Sequence, residues 1–335
     1  MIKALLVLQA WQVQHAEPGA LYIGLHVVDS NVVWAAGTGG RVARTTNSGA
    51  TWTVTVVPGA DSLQFRDVHA FSATEAFVLS IGNGTDSRIY QTRDGGATWR
   101  LSFQNEDTNA FYDCFSFWDR QRAFAFSDSH EGAFTLIRTD DGGASWRRIN
   151  PSAVPPARPG EGGFAASGTC VVTRPGGLGW FATGASAVDT RVIRTTDYGA
   201  TWDEAVTPVT SRTSGEGITS LAFWDDHRGV AFGATLAGAD STYANVILTT
   251  DGGATWTRAA GQALGGVVYG GSVVPDTPTP TLVAVGPSGT AWSADGGTTW
   301  RTFSTANTWS VMFLSPTVGW AVGRGHISRF SAGDR

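Results

Sequence analysis

Charged and polar side chains recur near the start of several short apolar segments. The segments "FRDVHAF" (65–71) and "FYDCFSF" (111–117) each carry an aspartate directly after Arg or Tyr. Paired carboxylates can divide the roles of general acid and general base, and Arg with Tyr can hold a sugar acid. The candidate catalytic residues are Asp67, Asp113 and Glu216. The candidate binding residues are Arg66, Asp67, Tyr112, Asp113, Glu161 and Glu216.

A structural role is the main alternative for these side chains. Polar residues that face water on a rigid scaffold need no catalytic function, and for Asp67 and Asp113 structure or binding is favoured over catalysis. His69 has no second histidine near it in sequence, so we interpret it as structural and predict no metal site. No glycine-rich phosphate motif follows a strand in a βαβ unit, so no cofactor is expected and oxidoreductase chemistry is disfavoured.

An eight-residue phrase, of the form "TTDGGATW", recurs between these segments. It begins at residues 45, 92, 139, 195, 249 and 293, always with Asp or Asn third and Trp last. Such a side chain accepts hydrogen bonds from backbone amides ahead of it, and the glycines permit positive φ, so each copy predicts a β-hairpin tip. Six equivalent side chains cannot share one pocket. We therefore predict a structural role for Asn47, Asp94, Asp141, Asp197, Asp251 and Asp295.

The spacing of tryptophans predicts the architecture. The six phrase tryptophans and Trp11 lie at successive steps of 41, 47, 47, 56, 54 and 44 residues. Steps of this size are typical of a four-stranded propeller blade. The expected fold is all-β, a single seven-bladed β-propeller domain over residues 1–335. Its last blade would be closed by the N-terminal strand, residues 10–17, which removes an open sheet edge.

Loop lengths differ between the two faces of this ring. Connections on the face opposite the hairpin tips are longest at blades 2 to 5, and the longest is "RRINPSAVPPARPGEGGFAASG" (147–168). Function is often placed on loops beyond the structural minimum, although surface loops also lengthen by neutral drift. The clustering on neighbouring blades favours this face as the functional one.

Composition limits the partners. Net charge is -5 and there is no basic run, which disfavours nucleic-acid binding. No apolar stretch reaches the roughly 20 residues of a membrane helix, so stable membrane insertion is not expected. Cys114 and Cys170 fall in equivalent segments of neighbouring blades and could form a disulfide or remain two buried thiols. A monomer is expected.

The repeated phrase resembles the Asp-box, or BNR, repeat of sialidases and related propellers. Beyond it, "GLHVVDSNVVWAAGTGGRVARTTNSGATW" (24–52) and "VGWAVGRGHISRF" (318–330) resemble the photosystem II stability/assembly factor family and its bacterial relatives, over essentially the whole chain. The resemblance implies a seven-bladed propeller that is exported, periplasmic or extracellular, and that assists assembly without catalysis. The start "MIKALLVLQA" also looks like a clipped signal peptide, with a cytoplasmic location as the alternative.

Sialidases provide the enzymatic alternative. Their F-R-I-P motif is absent, "FRDV" (65–68) is the nearest approach, and an arginine triad cannot be assigned. The sequence therefore favours a non-enzymatic binding or assembly propeller that acts through the face opposite the hairpin tips. The alternative is a sialidase-like glycoside hydrolase with carboxylates at the channel mouth. The expected partner is accordingly a protein or a glycan.

Overall fold

The computed structural model describes residues 9–185, 189–235 and 245–332. Residues 1–8, which carry most of the signal-like segment, lie outside the described residues, so the expected export stays a prediction. Short one-turn helices occupy Gly84–Asp86, Pro151–Ala153 and Pro175–Gly177. Every other regular element of the described residues is a β-strand, as the Gly-rich and Trp-rich sequence predicts.

Five sheets contain four antiparallel strands each, in chain order. The first two are β5 (Gln64–Ala70), β6 (Ala76–Ile81), β7 (Arg88–Thr92), β8 (Arg100–Gln104), and β9 (Tyr112–Phe117), β10 (Ala123–His130), β11 (Ala133–Thr139), β12 (Arg147–Arg148). The third is β13 (Val171–Arg174), β14 (Leu178–Ala182), β15 (Asp189–Thr195), β16 (Asp203–Thr210). The others are β17 (Glu216–Phe223), β18 (Gly229–Thr235), β19 (Val246–Thr249), β20 (Thr257–Arg258), and β21 (Gly270–Val274), β22 (Thr281–Gly286), β23 (Gly289–Ser293), β24 (Arg301–Ser304).

The remaining sheet has six strands and joins the two ends of the chain. Its order is β25 (Thr308–Ser315), β26 (Val318–Ala332), β1 (Gln9–Val27), β2 (Val33–Gly37), β3 (Arg41–Thr45) and β4 (Thr53–Val56). The long strand β1 changes partner along its length. Its residues 9–16 pair with residues 326–332 of β26, and its residues 22–27 pair with β2.

The prediction of seven blades is therefore wrong. Counted as hydrogen-bonded sheets, the described residues form a six-bladed propeller, with five blades of four strands and one of six. The physical reason is the continuity of β1 and β26, which merges the units that the sequence predicts as first and last into one sheet. The pairing of the N-terminal segment with the C-terminal strand, in which Trp11 lies opposite Phe330, agrees with the expected closure.

The core lies between the faces of adjacent sheets. The first and second strands are largely buried, whereas outer strands such as β8, β12 and β20 are mostly exposed. Between two sheets the ring of Trp180 stacks on Phe223 with centroids 3.9 Å apart, and Trp256 meets Phe223 edge-on. Aromatic packing of this kind fixes each sheet against the next and leaves the inner strands around a central channel.

The repeated phrase forms the same hydrogen-bonded hairpin tip in all six copies. At Asp251, Oδ1 accepts from the Thr249 hydroxyl at 2.8 Å and from the amide of Thr255 at 2.9 Å, while Oδ2 accepts from the Thr255 hydroxyl at 2.6 Å. Gly252 and Gly253 have φ of 69° and 82°, a region that favours glycine, although Ser48 and Tyr198 adopt φ of 58° and 60° at the position of Gly252 in two other copies. Although burial opposes the shift, these hydrogen bonds hold the pKa of Asp251 at about 2.

Replacing this aspartate tests its structural role. Asp251→Ala removes three acceptor contacts and is expected to lower the free energy of unfolding by about 1 kcal/mol or more. Asp251→Asn is the matched control, because Asn47 already performs the same role in the first copy. Urea unfolding measures both. Full stability in Asp251→Ala combined with loss of a binding activity would contradict a scaffold role.

Candidate functional site

The hairpin tips define one face of the ring, here called the tip face, and the opposite face is called the loop face. Because neighbouring strands are antiparallel, the inner strands β5, β9, β17 and β25 begin at the loop face and end at the tip face. The loop face therefore carries the first residues of each inner strand. It also carries the turn between β10 and β11.

A β-bulge occurs near the start of several inner strands. The register shifts across Arg66 in β5, Asp113 in β9, Thr219 in β17 and Trp309 in β25. A bulge leaves one residue unpaired and redirects its side chain. Two of the sequence-predicted site residues, Arg66 and Asp113, thus occupy the same structural position in adjacent sheets.

Three side chains at the channel mouth contact one another in a row. The guanidinium of Arg66 lies over the ring of Trp309, 5.2 Å from its centroid. The ring of Tyr269, directly before β21, lies 4.2 Å from Trp309. These residues come from three different sheets, and each is half-buried. We call Arg66, Trp309 and Tyr269 the mouth cluster.

Sequence reasoning overlooked Trp309. The segment "WSVMF" (309–313) reads as simply hydrophobic, in contrast to the polar starts of the other inner strands. The missed signal is positional, because Trp309 stands at the bulge that Arg66 and Asp113 occupy in their own strands.

The long connection before β13 closes the channel at this mouth. Residues 162–169, which we call the plug, run across the axis. The carbonyl of Ala165 accepts from Arg66 Nη1 at 2.9 Å, and the carbonyl of Ser167 accepts from the Ser310 hydroxyl at 3.4 Å. The hydroxyl of Thr169 lies 2.7 Å from that of Ser220. The plug thus touches β5, β25 and β17.

The buried Asp113 and the partly buried Asp128 contact the plug. Asp128 Oδ1 accepts from the amide of Gly163 at 2.8 Å, and the amide of Ala165 donates to Asp113. Burial raises the pKa of Asp113 well above its usual range, and the charge and hydrogen bond of neighbouring Asp128 raise it further. Burial also raises the pKa of Asp128. The two carboxyls lie next to each other against the plug.

Asp67 is enclosed in a different way. Its Oδ2 accepts from the amide of Phe115 on the neighbouring sheet at 2.9 Å, and its side chain lies against Gly168 of the plug. Burial raises the pKa of Asp67 to about 8, although the amides of Phe115 and Val68 favour the charged form. The carboxyl is therefore largely protonated at neutral pH. It bridges two sheets and the plug.

This assignment predicts a pH dependence of stability. A carboxyl with a raised folded-state pKa binds its proton more tightly in the folded protein, so stability falls as pH rises from about 4 to about 8. One proton limits this slope to about 1.4 kcal/mol per pH unit. In Asp67→Asn the contribution is absent, so the variant should gain stability relative to wild type between pH 5 and pH 8. Parallel urea midpoints across that range would contradict the assignment.

Two predicted carboxylates are engaged in ion pairs. Glu161 is buried, and its carboxylate accepts hydrogen bonds from two nitrogens of Arg191. The distance from Arg191 Nε to Glu161 Oε1 is 2.9 Å. Glu216 is buried, and its carboxylate accepts hydrogen bonds from Arg212 Nη2 at 2.9 Å and from the Arg212 backbone amide at 2.6 Å. Both carboxylates therefore hold loops in place at the loop face.

The remaining predicted residues lie inside the fold. Tyr112 is 2% exposed and packs edge-on against Phe103 at 5.3 Å. Cys114 and Cys170 form a fully buried disulfide with Cα atoms 6.0 Å apart. This bond joins β9 to the residue that follows the plug. No cluster of three or more His, Cys, Asp or Glu side chains suited to a metal ion occurs in the described ranges.

Comparison with known proteins concerns the fold. No model of a known protein family matches the chain, and no curated protein matches it. The solved structure of YCF48 bound to D1 peptide matches with a TM-score of 0.66 and 17% identity, over all of both chains. The RRP9 WD40 repeats match with a TM-score of 0.65 and 12% identity, over 96% of this chain and 97% of that one. The chain is a β-propeller.

An enzyme is also among the similar folds. The GH74 xyloglucanase from Xanthomonas campestris matches with a TM-score of 0.61 and 16% identity, over 95% of this propeller. The match covers 53% of the xyloglucanase, so this chain spans about half of that enzyme's length.

Across the described ranges, no helix has the length and apolar character needed to span a bilayer.

Proposed function

We propose that the protein is a non-enzymatic binding propeller that holds a protein partner at the loop face. The observation that carries this proposal is the mouth cluster, in which Arg66, Trp309 and Tyr269 contact one another in a row. Arg, Trp and Tyr are the residue types that most often dominate the energetics of protein interfaces. Their position over a closed channel makes a surface for a partner segment.

The mouth cluster is organised before any partner arrives. Arg66 Nη2 donates to Gln64 Oε1 at 3.1 Å while Nη1 is held by the plug, and Trp309 Nε1 donates to Asn307 Oδ1 at 2.9 Å. Side chains already fixed lose little conformational freedom on binding, which favours affinity. YCF48, a protein of the same fold, has been solved with a bound peptide, which supports a peptide segment as the partner here.

The carboxyls argue against glycoside hydrolysis. Hydrolases hold their two carboxyls about 5–9.5 Å apart, with the sugar bond between them. Asp113 and Asp128 lie side by side against the plug, and Glu161 and Glu216 face arginines. The described site thus lacks an accessible pair with room for a sugar.

Export and a monomeric state belong to the same proposal. Disulfides persist in oxidising compartments, so the bond between Cys114 and Cys170 supports a periplasmic or extracellular location. The single chain closes its own ring by pairing its ends, which supports a monomer.

The test begins with peptides selected against the wild-type protein from a displayed random-peptide library. Arg66→Ala and Trp309→Ala are expected to weaken binding of the selected peptides by about thirtyfold, the loss typical of an interface hot spot. Arg228→Ala is the matched control, since Arg228 is exposed on the tip face and its guanidinium pairs with Asp225 of the same turn. Equal binding by all three variants would show that the face is misassigned.

A second assay addresses the enzymatic alternative. The wild-type protein is incubated with sialosides and other glycans, and released sugar is measured. No release is expected. Reproducible release that disappears in Asp113→Asn or Asp67→Asn would replace the binding proposal with a glycoside hydrolase.

A further inference from the structure

The plug is held by groups whose charge depends on pH. We propose that Asp113 and Asp128 form a proton-operated latch, which keeps the plug closed while the pair retains a proton and releases it when both carboxyls ionise. The proposal depends on the fold around the plug and not on the proposed partner.

The plug backbone packs closely against the side chains of Asp113 and Asp128. A Cβ at Gly162 would overlap Asp128, and one at Gly163 would lie 3.0 Å from Asp113 Oδ2. Glycine at these positions lets the plug backbone approach closely enough for the amides of Gly163 and Ala165 to reach the carboxyls. Any change in the carboxyl pair is therefore transmitted directly to the plug backbone.

The charges around the pair accommodate one carboxylate but not two. Arg66 is the cation that faces Asp113, and its own surroundings include Tyr269. Asp67 lies against the far end of the plug at Gly168. Glu161, just before the plug, is neutralised by Arg191. With one proton on the pair, Arg66 balances the remaining charge, whereas full ionisation leaves a buried negative charge without a partner.

The direction of the pH effect follows from linkage. Burial raises the pKa of both carboxyls in the closed state, and neighbouring Asp128 raises that of Asp113 further, whereas an opened plug would let both pKa values approach ordinary ones. Opening therefore releases a proton. Between the ordinary and the raised pKa, the equilibrium constant for opening should increase about tenfold per pH unit.

The disulfide sets the hinge of this movement. Cys170 immediately follows the plug and is bound to Cys114 on β9, so the C-terminal end of the plug cannot leave the channel. Opening would instead lift residues 162–166 and withdraw the Ala165 carbonyl from Arg66. The guanidinium of Arg66 would then lose one of its two hydrogen bonds and gain freedom to meet another acceptor.

Amide hydrogen exchange, followed by NMR on the intact protein without ligand, tests the latch. We expect the protection factors of Gly163 and Ala165 to fall about tenfold per pH unit above pH 5, relative to a core amide such as Val283. Asp113→Asn and Asp128→Asn each remove one of the two titrating carboxyls but keep a hydrogen-bonding side chain. Because Arg66 can balance the one carboxylate that remains, the pH dependence of these protection factors should become weaker in either variant.

Matched variants decide the assignment. Asp67→Asn alters the other buried carboxyl that touches the plug, and should retain the wild-type pH dependence at Gly163. Thermal melts identify any variant that fails to fold, in which case the other asparagine variant decides. A pH-independent wild type, or an unchanged slope in Asp113→Asn and Asp128→Asn, would overturn the latch. Because no ligand is used, this failure is distinguishable from failure of the partner-binding proposal.

Discussion

Deletion of residues 1–17 is expected to lower the melting temperature more than the substitution of any single side chain of that segment. The deletion removes the part of β1 that pairs with residues 326–332 and so opens the edge of β26. It also removes Trp11, whose ring lies 5.8–6.0 Å from Phe303, Phe313 and Phe330 and whose Nε1 donates to Thr290 at 3.0 Å. Thermal unfolding followed by circular dichroism measures the effect.

Two further variants separate the contributions of strand pairing and of the indole. Trp11→Ala keeps the strand and should cost about 3 kcal/mol, as expected for removal of a largely packed aromatic side chain. Deletion of residues 1–8 keeps all of the contacts named for Trp11, so the difference in melting temperature between the two deletions measures the contribution of residues 9–17. A 1–17 deletion that melts like the wild type would show that the N-terminal pairing contributes nothing to closure.

The fold could be predicted from the sequence to the level of repeated hairpins. Hydrogen-bonding rules for Asp, Thr and Gly are local, so the tips around Asp251 and its equivalents follow from eight residues each. The number of sheets depends instead on whether β1 runs on without a break between two partners. Tryptophan spacing does not report on that continuity, and the seven-bladed prediction failed there.

The sequence predicted where the longest connection lies, but not the contacts of the candidate side chains. Loop length pointed to the connection before β13, and the structure places the plug there, at the channel mouth. The roles of the carboxyls depend on neighbours distant in sequence, such as Arg191 for Glu161 and Asp128 for Asp113. No spacing rule links these pairs. Trp309 could not be predicted as a member of the mouth cluster, because only its position at a β-bulge distinguishes it from the other apolar residues of its strand.

Arg191→Ala is expected to be among the most destabilising single substitutions in the protein, at about 3–5 kcal/mol. Arg191 and Glu161 are 2% and 1% exposed, and Arg191 also donates to the carbonyl of Pro156 at 3.0 Å. Removing the guanidinium leaves the Glu161 carboxylate buried beside an apolar methyl group. The Pro156 carbonyl also loses this donor. Urea unfolding at neutral pH measures the loss.

The same arginine provides its own control, because it also pairs with the half-exposed Glu204. Glu204→Gln should cost less than about 1 kcal/mol, since water compensates a partly exposed ion pair. The double variant Arg191→Met with Glu161→Gln should recover part of the loss, because no buried charge is left without a partner. If Glu204→Gln were as destabilising as Arg191→Ala, the exposed pair rather than the buried one would anchor the connection that leads into the plug.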